Sequence, residues 1–118
     1  MLSLARSALG RYLIGWVFAR MSFLIPVQRL RETATLVAFH HPRPGYAVHI
    51  LIVPKRAIAS LAELTAADQD FMADLFACVQ GLVAELGLEA AGYRLIANGG
   101  KYQDVAQLHF HLISGESL

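Results

Sequence analysis

Between Thr65 and Gly87 the sequence keeps a helical period, and on both sides of it the period is two. Phe71, Met72, Leu75, Phe76, Val79, Leu82, Val83 and Leu86 recur at three- and four-residue spacing, which gathers them on one wide apolar face. Thr65 is placed to cap the start with Asp68 three residues on, Asp70 adds favourable charge there, and Gly87 is a suitable stop. One long amphipathic helix among strands needs a sheet to lie on. The flanking segments supply it: "VQRLRE" and "TLVAF" read as a hairpin turning near Thr33, "AVHILIVP" as a strongly apolar strand, "GYRLIAN" and "AQLHFHLI" as two more. Ser60 and Glu63 have the spacing of a capping box and predict one short helical turn. The expected class is α+β: an antiparallel sheet of about five strands carrying one long helix, with a short helix beside it.

At 118 residues the chain has the length of one domain. It is 56% hydrophobic and only 16% charged, more apolar than a small soluble domain requires. That surplus predicts a buried oligomer interface or a membrane-facing surface. A net charge of +1 makes no case for nucleic acid. Cys78 is the single cysteine, which excludes an internal disulfide and a multi-cysteine zinc site, and the expected compartment is the reducing cytoplasm.

The basic groups are unevenly placed. Residues 1–31 hold Arg6, Arg11, Arg20, Arg29 and Arg31 and no acid, whereas the remaining 87 hold five basic and nine acidic groups. Residues 1–26 are read as a basic, apolar helical arm and 27–118 as the domain. The apolar run Tyr12–Ala19 falls far short of the ~20 residues of a membrane span, and no A-x-A-like site follows it. The favoured reading of the arm is a helix packed on the domain or across a dimer. The other is a peripheral membrane contact through residues 1–25, with Trp16 and Phe18 at the lipid interface.

The chemistry concentrates in "QLHFHLIS", residues 107–114. On a strand, Gln107, His109 and His111 share one face and Leu108, Phe110 and Leu112 the other. A single histidine in such a row is most often a hydrogen-bonded structural residue. Two imidazoles on one face suit either metal binding, with His49 or His40 completing a zinc or copper site, or nucleophilic catalysis by a neutral imidazole whose neighbours hold protons and charge. No carboxylate or cysteine stands at an obvious spacing to complete a metal set, which weighs slightly towards catalysis.

The segment "QDVAQLHFHLISG" resembles the signature of the histidine triad (HIT) family, with glutamine at the first of its three histidine positions. "AFHHPRPGYAVHILIVPKRAIASLAEL" resembles that family's earlier block and "GLEAAGYRLIANGG" the segment after its helix. The similarity runs from about Val27 to Gly115 and is closest to the Hint branch. It implies the HIT fold and a homodimer pairing the strand near Tyr93–Asn98 and the long helix across a two-fold axis. It also implies a nucleotide or nucleoside-phosphate ligand, with no metal and no cofactor. The implied activity is a hydrolase or transferase acting at a nucleotide α-phosphate through a nucleotidyl-histidine intermediate. The alternative is a non-catalytic nucleotide-binding or membrane-associated interaction protein on the same fold.

Residue by residue, the resemblance makes His109 the nucleophile and His111 the phosphate contact that helps the leaving group depart. Gln107 is an orienting hydrogen-bonder, His49 a further pocket histidine, and Asn98 a hydrogen-bonder near the phosphate. His40 becomes part of the nucleoside wall. Four positions depart from the family: 107, 41, 104 and 57. Gln107 cannot titrate. His41 stands where an acid usually holds ribose hydroxyls. Gln103 and Asp104 are taken as nucleotide-binding positions of a shortened phosphate-side loop, with Asp104 in place of a common serine, and Ala57 replaces another common histidine. A divergent member with slow turnover or altered specificity is the expectation.

Overall fold

The computed structural model describes residues 28–118, and the arm read at residues 1–26 lies outside them. Five strands, β1 (Arg29–Glu32), β2 (Leu36–His40), β3 (Tyr46–Pro54), β4 (Arg94–Ala97) and β5 (Phe110–Ser117), form one sheet in the order β1-β2-β3-β5-β4. Every neighbouring pair is antiparallel. Helix α1 (Gln69–Leu86) lies on one face, and α2 (Leu88–Ala91) adds one turn after it.

Alternation explains which side chains meet the helix. Leu36 and Ala38 of β2, Ile50 and Ile52 of β3, and Phe110 and Leu112 of β5 join Phe71, Leu75, Cys78, Val79 and Leu82 of α1 in one buried cluster. Each fully buried leucine or isoleucine there contributes about 1.5–3 kcal/mol before the entropy of ordering it. The intervening residues Val37, Phe39, Leu51 and Val53 form a second buried cluster on the opposite face. β3 is therefore apolar on both sides, which is why "ILIV" runs without a polar break.

The box read from the sequence caps a single tight turn, Ala66–Asp68, that leads into α1: Thr65 Oγ1 accepts from the Ala67 amide and Asp68 Oδ2 from the Thr65 amide. Asp68 is buried, and its Oδ1 accepts from Arg56 Nη2 at 2.6 Å. Gly87 stops the helix at φ +67°, a conformation that costs a side-chain-bearing residue about 1 kcal/mol or more. The chain turns there into α2, anchored by buried Leu88. Thr33 and Thr35 donate to Asp74 Oδ2 at 3.0 and 2.6 Å, fastening the β1–β2 turn to the helix.

Several expectations need correction. Ser60 precedes a short turn (Leu61–Glu63) as expected, but its side chain makes no capping bond. Phe76 and Leu86 belong to the predicted apolar face yet are 58% and 40% exposed, because that face is wider than the sheet beneath it. Of the five arginines counted with the basic N-terminal stretch, two belong to the sheet: Arg29 pairs with Glu32, and Arg31 reaches Glu85 of α1 at 2.6 Å. The last strand begins at Phe110 rather than near residue 106. Residues 105–107 bend, and the Leu108 amide donates to Ile58 O at 2.7 Å outside the sheet. Among the described residues no helix is long and apolar enough to cross a membrane.

Candidate functional site: a row of imidazoles

The sheet face away from α1 carries the histidines. In the β3–β5 register His49 pairs with Ile113 and His111 with Leu51, so the two histidines are diagonal neighbours, within reach of long side chains. Their rings meet, with His49 Nε2 2.8 Å from His111 Nδ1. The Gly45 amide donates to His49 Nδ1 at 2.9 Å. A backbone N–H can only donate, so Nδ1 of His49 bears no proton and its hydrogen sits on Nε2. That hydrogen is given to His111 Nδ1, which leaves the His111 proton on Nε2.

His109 lies just before β5, edge-on to His111 with ring centroids 5.0 Å apart. Its Nδ1 is 2.8 Å from the main-chain oxygen of Gln107. A carbonyl can only accept, so His109 carries its proton on Nδ1 and a lone pair on Nε2. His41 continues the β2–β3 pairing, its amide donating to His49 O at 2.8 Å. Its ring packs on His49 at 4.4 Å and lies nearly parallel to His111 at 6.2 Å. The Arg43 amide donates to His41 Nδ1 at 2.9 Å, placing that proton on Nε2.

Burial and mutual proximity disfavour the charged forms of His111, His49 and His41. Burial, followed by His109, His49 and His41, brings His111 down from 6.5 to about 4. Burial lowers His49, and burial followed by His49 and His109 lowers His41. The hydrogen-bonded tautomers thus set a lone pair at His109 Nε2 beside an N–H donor at His111 Nε2. A neutral imidazole nucleophile next to a donor for developing oxyanion charge is the arrangement that nucleophilic substitution at phosphorus or carbonyl carbon requires.

Four of the five histidines, His41, His49, His109 and His111, thus come together. His40 does not: its register partner is Ile50, a residue of the helix-side cluster, and it ends β2 exposed on that face. Asn98 directly follows β4, where Ile96 pairs with His111 and Ala97 with Phe110. Gln103 donates from Nε2 to Ala59 O at 2.7 Å and Val105 O at 2.9 Å, so its amide clamps the loop before His109. Asp104 beside it is exposed. Among the described residues no group of three or more metal-ligating side chains is placed to hold a metal ion.

The geometry also explains the departure at position 107. Gln107 holds His109 through its backbone oxygen, a contact that any residue type supplies. Its buried side chain makes only a 3.5 Å contact with Leu108 O. Gln107→Ala is therefore expected to change the turnover number by less than about tenfold, measured against the wild type once a substrate is in hand. A thousandfold loss would show that the amide itself takes part.

Two contributors escaped the sequence reading, Gly45 and Tyr46. The Gly45 amide sets the His49 tautomer, and Tyr46 stands edge-on to His49 at 5.7 Å. The turn signal "PRPG" was legible, but nothing in it says which ring the amide meets. A cavity of about 440 Å³ bordered by Tyr93, Arg94, Ser114 and Glu116 contains none of the row. Chemistry, not volume, singles out the site.

Similarity to known proteins agrees with this geometry. A sequence model of the HIT domain matches residues 23–118. An uncharacterized HIT-like protein of Synechococcus elongatus is 40% identical over 96 residues, covering 80% of this chain and 83% of that one. The crystal structure of a HIT family hydrolase from Legionella pneumophila superposes with a TM-score of 0.78 at 30% identity, over 86% of this chain and 93% of that one. A histidine triad nucleotide-binding protein from Candida albicans gives 0.74 at 30% identity, over 85% and 75%. By sequence and fold, this chain belongs to the HIT domain family.

Proposed function

We propose that the chain binds a nucleotide or nucleoside phosphate and hydrolyses or transfers it at the α-phosphate through a covalent bond to His109. The observation that carries this reading is the pair of opposed tautomers, a lone pair at His109 Nε2 beside an N–H at His111 Nε2. The names of the similar proteins support it, one being called a hydrolase and another nucleotide-binding.

In the first step His109 Nε2 forms a bond to phosphorus. The bond to the leaving group breaks, its electron pair departing with that group, which takes a proton from solvent. His111 Nε2–H donates to a phosphoryl oxygen as charge builds. The imidazole bonded to phosphorus becomes cationic, and the Gln107 carbonyl facing its Nδ1–H stabilises that charge. Water then attacks phosphorus, loses a proton to solvent and releases the nucleoside monophosphate with His109 restored.

The test is incubation with an adenosine phosphoramidate and a dinucleoside polyphosphate, followed by rapid denaturation and mass analysis of the protein. The expected result is a nucleotidyl group on His109, with activity unchanged by a chelator because imidazoles carry the reaction. Activity lost together with a stoichiometric metal would overturn the mechanism. Clear nucleotide affinity without turnover would leave the binding function alone.

We also propose that the protein works as a homodimer. Among the described residues β4 is an edge strand with one neighbour, and unpaired edges invite pairing. Tyr93 at its start is 42% exposed, and Phe76 and Leu86 of α1 are exposed as well. Sedimentation should give twice the chain mass, and Phe76→Glu should lower it towards the monomer. A wild-type monomer at high concentration overturns the assignment.

A further inference from the structure

Building on the nucleotide-site reading, we infer that His41 gives the row a second anion-binding position, so that the preferred ligand carries two phosphate groups. Two rings of the row are fixed as donors at Nε2 by separate devices: His111 through His49 and Gly45, His41 through the Arg43 amide. Their planes are 21° apart at 6.2 Å, with His49 packed against both. His109 meets the row through His111. A phosphorus within reach of His109 Nε2 is therefore served by His111, and the His41 donor meets a group further along the ligand.

The surroundings say what kind of group that is. The charges that act on His41 come from His49 and His109, and those on His111 from His109, His49 and His41, with no carboxylate among them. An anionic oxygen entering there meets donors without a competing acid, and it offsets the repulsion that opposes protonation of neighbouring rings. A neutral hydroxyl gains much less from the same place, since hydrogen bonds to a charged partner are about twice as strong. The second phosphate has two possible sources: the phosphate chain itself, or a phosphate on the sugar.

Calorimetric titration of the full chain separates them. Adenosine 5′-monophosphate is compared with α,β-methylene-adenosine diphosphate, which places the extra phosphate on the chain, and with adenosine 3′,5′-bisphosphate, which places it on the sugar. One of the two is expected to bind about tenfold more tightly than the monophosphate, as one charge-assisted hydrogen bond implies. In His41→Phe, which keeps a ring for packing but has no donor, the ratio of affinities should fall close to one. In His41→Gln, which keeps a neutral donor, part of the ratio should remain. The inference is overturned if neither two-phosphate ligand exceeds the monophosphate in the wild type. It is equally overturned if the ratio is the same in the wild type and His41→Phe, or in the two variants. Failure of the monophosphate itself to bind would remove the nucleotide-site reading and this inference with it, whereas binding without preference removes only this one.

Discussion

His109→Ala is expected to lower turnover by about a thousandfold or more and to abolish the covalent nucleotide adduct. The size follows from the role. Within the row, His109 alone has an unprotonated Nε2, since the Nε2 atoms of His49, His111 and His41 all hold protons. Alanine leaves no atom to form the bond to phosphorus. His111→Ala removes a donor rather than a bond, so its adduct should still form, more slowly. The measurement is a single-turnover time course with mass analysis of the trapped protein. An alanine variant that keeps wild-type turnover would exclude His109 as nucleophile. Melting curves of both variants guard against the trivial outcome of an unfolded chain.

Acid is expected to destabilise the fold between about pH 6.5 and pH 4, and His111 is the main cause. Its folded value is depressed from 6.5 to about 4 by burial and by the three imidazoles around it. Above pH 6.5 the ring is neutral in both folded and unfolded chains, and its full contribution is present. As pH falls, the unfolded ring takes a proton that the folded ring refuses, so stability drops until about pH 4, below which both forms are protonated. His49 and His41 are lowered as well and act in the same direction. Because the row is only half-buried, the His111 share is discounted to about 1–2 kcal/mol. That corresponds to a fall in melting temperature of roughly 5–15 °C for a domain of this size. Melting curves from pH 7.5 to 4 should show the slope in the wild type and a shallower one in His111→Asn, whose side chain does not titrate. Identical slopes would assign the acid sensitivity to other groups.

Activity should follow the same window. A proton gained by His111 has no place at Nδ1 while His49 donates there and Gly45 holds the far side of His49. Protonation therefore breaks the alignment of the row as well as adding charge, and turnover should decline over the pH range in which stability does.

The local patterns determined a great deal, because they depend on chain neighbours alone. Helical period placed α1 and its Gly87 stop, while the Thr65–Asp68 box closes the short turn that leads into it. Period two placed the strands, and the two-residue spacing of His109 and His111 ends with their rings 5.0 Å apart. Assigning a nucleotide to that side came from resemblance to a family, not from the pattern. Tertiary structure decided the rest. His40 and His41 are adjacent and alike in sequence, yet the β2–β3 register turns His40 to the helix side and seats His41 in the row. The start of β5 at Phe110 depends on the Leu108 amide finding Ile58 O, a partner fifty residues away. Gln103 Nε2 also clamps the loop, a role the sequence did not show because the carbonyls of Ala59 and Val105 come within reach only after folding. The tautomers, on which the proposed chemistry rests, are set by one glycine amide and one glutamine carbonyl. Main-chain groups leave no mark in a sequence, so only the folded backbone shows which ring each one meets.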